Sequence, residues 1–353
     1  MALQASFQKK IFQFNFKART SRGIMRDKTS WFIKVWDDAA PQITGIGECG
    51  PLPGLSIDDR PDFEQVLEQT LKKVNGLQSL HVSSLHNLMP PGFPSLTFGL
   101  ETALLDLENG GKRIIFTNEF IKGAPISING LIWMGDLDFM LHQIGDKVSQ
   151  GFNCIKLKVG GLNFDKECDV LEYIRKRYFR EQLTIRLDAN GGFKTDEVLF
   201  KLTELAKFKI HSIEQPIKAG LPEMEELCRK SPIPIAFDEE LINIEGDAKK
   251  DLLTRLKPAY IILKPTLHGG ISGCREWIAI AEKAGIGWWI TSALESSIGL
   301  NAICQFTASY PLSIPQGLGT GSIYENNIPS PLKVKNGTIL YDASQAWDLS
   351  ELE

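Results

Sequence analysis
The chain is 353 residues long, 43% hydrophobic and 23% charged, with a net charge of −4. That length and apolar content suit one large domain and a smaller one around a substantial core, and they exclude a disordered tail. There is no long basic block and no run of about 18 apolar residues. Nucleic acid and anionic membrane surfaces therefore have no electrostatic support, and no membrane-spanning helix is expected.

The opening MALQASFQKKIFQF lacks the apolar run and small-residue cleavage site of a signal peptide. The six cysteines (Cys49, Cys154, Cys168, Cys228, Cys274, Cys304) are scattered without C-x-x-C pairs, against both a zinc cage and a disulfide framework. A cytoplasmic protein is expected.

The N-terminal third reads as α+β. Ile11–Phe16 and Trp31–Trp36 read as strands, and Asp62–Val74 and Leu96–Leu107 carry helical spacing. Gly45–Ser56 (GIGECGPLPGLS) reads as a loop, and Ser21–Ser30 as a mobile loop whose Met25 or Arg26 could touch substrate. From Pro125 onward, short Ile/Val/Leu-rich runs alternate with amphipathic stretches. The runs are Pro125–Ile132, Cys154–Val159, Leu183–Asp188, Ile210–Glu214, Ile233–Asp238, Tyr260–Lys264, Gly287–Thr291 and, weakly, Gln316–Gly319. Between them lie helical candidates at Leu137–Val148, Asp165–Tyr178, Thr195–Lys207, Pro222–Arg229, Ala248–Leu256, Gly273–Lys283 and Ile298–Ala308. This alternation suits a parallel (β/α) barrel short of its last helix, and periodicity alone also admits an open doubly wound sheet.

The polar residues that end the runs are more informative. Lys156 and Lys158 close one, then Asp188 and Asn190, Glu214, Asp238 and Lys264. From Lys158 the steps are 30, 26, 24 and 26 residues, about one strand–loop–helix unit each. Every charge thus falls at the C-terminal end of its strand, the rim where barrel enzymes build their sites. Alternation puts Lys156 and Lys158 on one face, and Arg186, Asp188 and Asn190 on another single face. Inward charges cost several kcal/mol unless paired or metal-bound, and three converging carboxylates make a hard oxygen site suited to Mg²⁺.

Lys156-Leu157-Lys158, Asp188-Ala189-Asn190, Glu214-Gln215-Pro216, Asp238-Glu239 and Lys264-Pro265 resemble the successive strand-end motifs of the muconate-lactonizing subgroup of the enolase superfamily. Leu100–Leu107 resembles that family's helix before the barrel, and Ser292–Leu300 its seventh-strand segment. The resemblance implies an α/β fold: a modified (β/α)7β TIM-type barrel over 123–324, with an α+β N-terminal capping domain over 1–122 completed by 325–353. It implies Asp188, Glu214 and Asp238 as ligands of Mg²⁺ (or Mn²⁺); alternation puts Asp238 and Glu239 on opposite sides, so only one of the two is expected to bind, with Asp238 favoured over Glu239. It also implies Lys158 as the base, Lys264 as a cationic partner across the barrel and Lys156 as a supporting charge. Arg186, Asn190, Ser292 and Gly319 become substrate-contact candidates. The substrate would be a small carboxylate, with oligomerisation left open.

Within the subgroup, Pro51–Ser56, Arg186–Asn190 and Gly317–Gly321 are most similar to the o-succinylbenzoate synthases. That branch implies dehydration of a succinyl-hydroxycyclohexadiene carboxylate in menaquinone biosynthesis. The competing reading is a dipeptide epimerase or N-acylamino acid racemase, which the resemblance says would use the same lysines. Dipeptide epimerases usually carry an Asp-x-Asp pair at the eighth strand, where this chain has Gly317-Leu318-Gly319-Thr320-Gly321. A silent barrel serving as a binding module is a third reading, opposed by chemically competent residues at all five strand ends.

Two other patterns have plainer explanations. Gly45–Gly50 matches G-x-G-x-x-G, but Pro51, Pro53 and Gly54 stand where a nucleotide-binding helix must begin. His81, His86, His142, His211 and His268 lack metal-ligand spacing and read as structural or solvent-facing, and Trp288 and Trp289 read as core.

Overall fold
The structure, a computed structural model, describes residues 2–20, 23–161 and 163–352. β1 (Leu3–Thr20) and β2 (Gly23–Asp37) form a long antiparallel hairpin, and β3 (Thr44–Cys49) adds to β2. Alternate residues of these strands face helices α1 (Phe63–Val74) and α2 (Pro94–Glu108), with Ile33, Val35, Leu67, Leu71, Leu96 and Leu100 in one apolar cluster.

Two sequence expectations fail here. Thr44–Cys49 is a strand, although its glycines read as a loop. A Cβ on Gly45 would stand 2.0 Å from Ala103 O, and one on Gly47 would stand 1.9 Å from Gly99 O. These glycines let α2 lie directly on β3, a close approach of backbone to backbone rather than a turn. Likewise Gly23–Ser30, read as loop, is strand, and its cross-strand pairs with β1 bind most of it. Ser21 and Arg22 of that expected loop lie outside the described residues.

The run Pro125–Ile132 divides in two. β4 (Ile126–Ser127) leaves the barrel, and β5 (Gly130–Ile132) begins it. The units that follow are α3 (Leu137–Ser149), β6 (Cys154–Lys158), α4 (Phe164–Arg177), β7 (Thr184–Asp188), α5 (Val198–Ala206), β8 (Ser212–Glu214) and α6 (Glu223–Lys230). Then come β9 (Ile235–Phe237), α7 (Asp247–Leu256), β10 (Tyr260–Leu263), α8 (Gly270–Lys283), β11 (Gly287–Ile290) and α9 (Ser297–Thr307). β5 to β11 pair in parallel in chain order. Gln316 and Gly317 close the ring, bridging Ile128 on one side and Thr291 on the other. This is the expected (β/α)7β barrel, its eighth strand reduced to a bridge. α8 begins three residues before its expected start because Gly269 and Gly270, both at φ +78°, form the turn into the helix.

The outward faces of the strands, with Ile155, Leu157, Ile185, Leu187, Ile213 and Ile261, pack under the helices in one continuous core. At the C-terminal end, β12 (Leu332–Lys335) and β13 (Thr338–Tyr341) form a hairpin, and β13 also pairs with β4. Tyr324, Ile328 and Leu352 pack against Phe12 and Phe14 of the first hairpin. No helix among the described residues is long and apolar enough to cross a membrane.

Candidate active site
Strand register sets the site. β6 pairs with β7 so that Lys158 lies opposite Asp188, and β7 pairs with β8 so that Asp188 lies opposite Glu214. Asp238 and Lys264 each follow directly on their strands, β9 and β10. In the eight-position ring β6 and β10 stand diametrically apart, so Lys158 and Lys264 face each other across the mouth.

Asp188, Glu214 and Asp238 are all buried, and ammonium groups stand among them. Lys156 Nζ lies 3.0 Å from Asp188 Oδ2 and 2.6 Å from Glu214 Oε2. Lys158 Nζ donates to Asp188 Oδ2 at 3.0 Å and to Asn190 Oδ1 at 2.5 Å. Lys264 Nζ donates to both oxygens of Asp238, at 2.6 Å to Oδ1. Three buried carboxylates are thus matched by three ammonium groups, which makes this dense charge cluster affordable.

Electrostatics follow from that packing. Burial works to raise the Asp188 carboxyl, but Lys156 and Lys158 outweigh it and hold the group well below the carboxylate range. For Glu214 burial prevails, reinforced by Asp188 and Asp238 and opposed by Lys156, and it is pushed up to about 7. Burial acts to lower Lys156, yet Asp188, Glu214 and Asp238 override it and hold the ammonium well above the usual lysine value.

Among the described residues no three His, Cys, Asp or Glu groups are gathered closely enough to cage a metal as they stand. The donor chemistry nonetheless fits a hard divalent cation. Three carboxylates meet at one rim, and Glu214 Oε1 is buried without a hydrogen-bond partner.

A cavity opens above this cluster. Lys156, Lys158, Asp188, Asn190, Asp238 and Lys264 line its floor, and Met25, Leu52, Leu131, Trp133 and Leu294 give it apolar walls. Ser292, Gly319 and Thr320 complete one side, with Ser292 Oγ accepting from Thr320 Oγ1 at 2.8 Å and donating to Glu295 Oε2 at 2.5 Å. Asn190 and Met25 are therefore at the cavity, while Arg26 is exposed. Arg186 is not among the lining groups. Two residues before Asp188, it is fully buried one layer deeper, stacked 4.1 Å from the Trp289 ring and donating to Pro315 O at 2.8 Å. Glu239 does not face away from the cluster as alternation suggested: it accepts from Asn190 Nδ2 at 3.0 Å, and burial together with Asp238 and Asp188 raises its carboxyl, because the strand ends at Phe237 and alternation no longer holds beyond it.

Sequence reasoning missed Asn129, Leu131 and Trp133 because β5 ends without a charge, so the strand-end criterion passes over it. It also missed two capping-layer acids seated on the barrel. Glu48 accepts from Ser296 N and Gly299 N at the start of α9, and Glu101 accepts from Ile271 N and Ser272 N at the start of α8. Helix N-termini carry unsatisfied N–H groups and positive potential, so each carboxylate fastens the cap to a barrel helix.

Residues 140–349 match the family model described as enolase C-terminal domain-like. An o-succinylbenzoate synthase from Desulfotalea psychrophila is 40% identical, over 96% of this chain and 98% of its own. One from Yersinia enterocolitica is 29% identical, over 80% of each chain. The crystal structure of MenC from Desulfotalea psychrophila superposes with a TM-score of 0.86 at 37% identity, covering 96% of this chain and all (100%) of that one. A muconate lactonizing enzyme from Pseudomonas fluorescens shares the fold, with a TM-score of 0.86 at 20% identity over 99% of this chain and 98% of its own. With the strand-end acids and lysines in one ring and these matches, the chain belongs to the enolase superfamily.

Proposed function
We propose that the protein is an o-succinylbenzoate synthase: a lyase of menaquinone biosynthesis that removes water from 2-succinyl-6-hydroxy-2,4-cyclohexadiene-1-carboxylate. The observation that carries this reading is the facing pair Lys158 and Lys264 over three rim carboxylates, within a chain 40% identical to such a synthase.

A divalent cation held by Asp188, Glu214 and Asp238, Mg²⁺ or Mn²⁺ in its place, would supply a Lewis acid to the substrate carboxylate. Lys158, in its neutral form, takes the proton from the carbon beside that carboxylate. The ammonium so formed returns the proton to the departing hydroxyl on the same face. One C–H and one C–O bond break, a C=C bond forms, and water leaves. Lys264 stays cationic across the ring and stabilises the negative charge that develops on the substrate.

Charge balance supports a carboxylate substrate. The three rim acids face three ammonium groups, and against that set a divalent cation adds two positive charges. The two negative charges of a dianionic substrate offset them. The cavity walls suit a carbocycle, and Gly319 and Thr320 offer no acid for a substrate ammonium, which favours this substrate over a dipeptide. A cytoplasmic location and a capping domain of residues 1–122 completed by 325–353 belong to the same proposal.

The test follows loss of diene absorbance on mixing protein, Mg²⁺ and the cyclohexadiene carboxylate, with Lys158→Ala and EDTA controls. Turnover abolished by both controls supports the assignment. An intact, metal-loaded protein that leaves the diene unchanged sinks it, and deuterium exchange into N-acylamino acids and dipeptides then tests the racemase reading.

A further inference from the structure
Lys264 stands where β10 ends, and its backbone N–H has no strand partner there. The N–H is bonded instead to a side chain, His268 Nδ1, at 3.0 Å. The carbonyl of the same lysine accepts from Leu267 N at 2.8 Å and His268 N at 3.0 Å, so both backbone groups of Lys264 are tied by one turn. Thr266 Oγ1 donates to Glu295 Oε1 and braces the turn from outside. The turn has no slack: a Cβ on Gly273 would stand 1.9 Å from His268 O, and one on Gly270 would stand 2.2 Å from Glu101 Oε2. His268 is buried, and an acceptor at Nδ1 makes Nε2 the protonated nitrogen. Burial lowers the ring's pKa to about 3, so the imidazole stays neutral and the acceptor persists.

We propose that His268 is a positioning residue for the reaction, its ring holding the backbone of Lys264 so that the ammonium stays over Asp238 at the cavity floor. This rests on the reading of Lys264 as the cationic stabiliser. His268 does not line the cavity and so acts only through Lys264. A buried backbone donor requires a partner, and at this strand end only a side chain of the right reach supplies one.

Reach gives the test. Asn places its Oδ1 where the imidazole Nδ1 stands, Gln carries its acceptor one bond further, and Leu has none. His268→Asn should keep kcat within about threefold of the parent, while His268→Gln and His268→Leu should lose about tenfold or more, with KM within about twofold for all three. Activities are normalised to the folded fraction, and Lys264→Ala is measured alongside. Equal losses in the Asn and Leu variants, or undiminished kcat in a folded Leu or Gln variant, would overturn the proposal. Amide hydrogen exchange at Lys264 is the second readout and requires no turnover. Exchange fast in the Leu and Gln variants but protected in the Asn variant supports the holding of the Lys264 backbone by the ring, a result that stands even if the parent leaves the diene untouched. Unchanged exchange in all three overturns it. A parent that turns over while Lys264→Ala keeps its kcat refutes the stabiliser role of Lys264, and the positioning proposal falls with it.

Discussion
Asn190 receives Lys158 Nζ on its Oδ1 at 2.5 Å, and because its Nδ2 donates to Glu239 Oε1 at 3.0 Å, the amide can present only its oxygen to the lysine. Glu239 thereby fixes which way the amide faces, and the amide fixes the ammonium.

Removal of the Asn190 side chain should therefore reduce kcat more than it raises KM. The residue sits at φ +44°, a conformation glycine adopts freely. Asn190→Gly thus removes the amide without adding strain, and we expect kcat to fall about 10- to 100-fold, the worth of a hydrogen bond to a charged group. Steady-state kinetics checks this, and an unchanged kcat would discard the orienting role.

Glu214 provides the test of the cation. Glu214→Gln keeps the shape of the side chain and removes one negative charge from the rim. Mg²⁺ affinity by titration calorimetry should weaken by about 100-fold or more, and EDTA should abolish turnover of the parent until Mg²⁺ is restored. Parent-like Mg²⁺ binding by the variant would remove Glu214 from the ligand set.

Glu101 makes stability depend on pH. Burial raises its carboxyl from 4.5 to about 7, opposed by the N–H groups of Ile271 and Ser272 and by Arg275. The folded state thus favours the protonated form. Its contribution is complete below pH 4.5 and is lost as pH rises through 7. Relative to Glu101→Gln, the parent should lose up to about 3 kcal/mol of stability between pH 4.5 and pH 8. Urea denaturation of both proteins at the two pH values measures this, and a constant difference between them would contradict it.

Gly47→Ala should destabilise the capping layer, since the added methyl would meet Gly99 O at 1.9 Å and Thr102 Oγ1 at 2.5 Å. Overpacking of this kind costs about 1–3 kcal/mol or more, visible as a lower urea midpoint. A midpoint equal to the parent's would mean that α2 can move away from β3.

What the sequence revealed and what it concealed have the same origin. Lys158, Asp188, Glu214, Asp238 and Lys264 were legible because strand ends recur at a fixed interval and a charge there is conspicuous after an apolar run. Arg186 looked equivalent by alternation, yet Lys156, opposite it in register, reaches the cavity floor while the Arg186 guanidinium turns onto the Trp289 ring and Pro315 O, a side-chain direction that alternation does not encode. The strand Thr44–Cys49 was hidden because its glycines answer to α2, more than fifty residues away in sequence. Glu48 and Glu101 were hidden for a similar reason: their partners are N–H groups of distant helices, which leave no mark beside them in the chain.

The seam that closes the barrel also dictates an order of events at birth. Ser127 and Asn129 find their hydrogen-bond partners on Gln316, 187 positions after Asn129. A nascent chain emerging from the ribosome must therefore keep β5 as an open edge while the strands up to β11 are delivered. Such edges invite pairing with other chains, and contacts this distant in sequence form slowly. Helices α3 to α9 can cover the outer faces of the unfinished sheet during that wait, but only the arrival of Gln316 and Gly317 removes the edge. A chain truncated just before Gln316 would have every strand-end acid and lysine of the site and still lack the closed ring that sets them at one level.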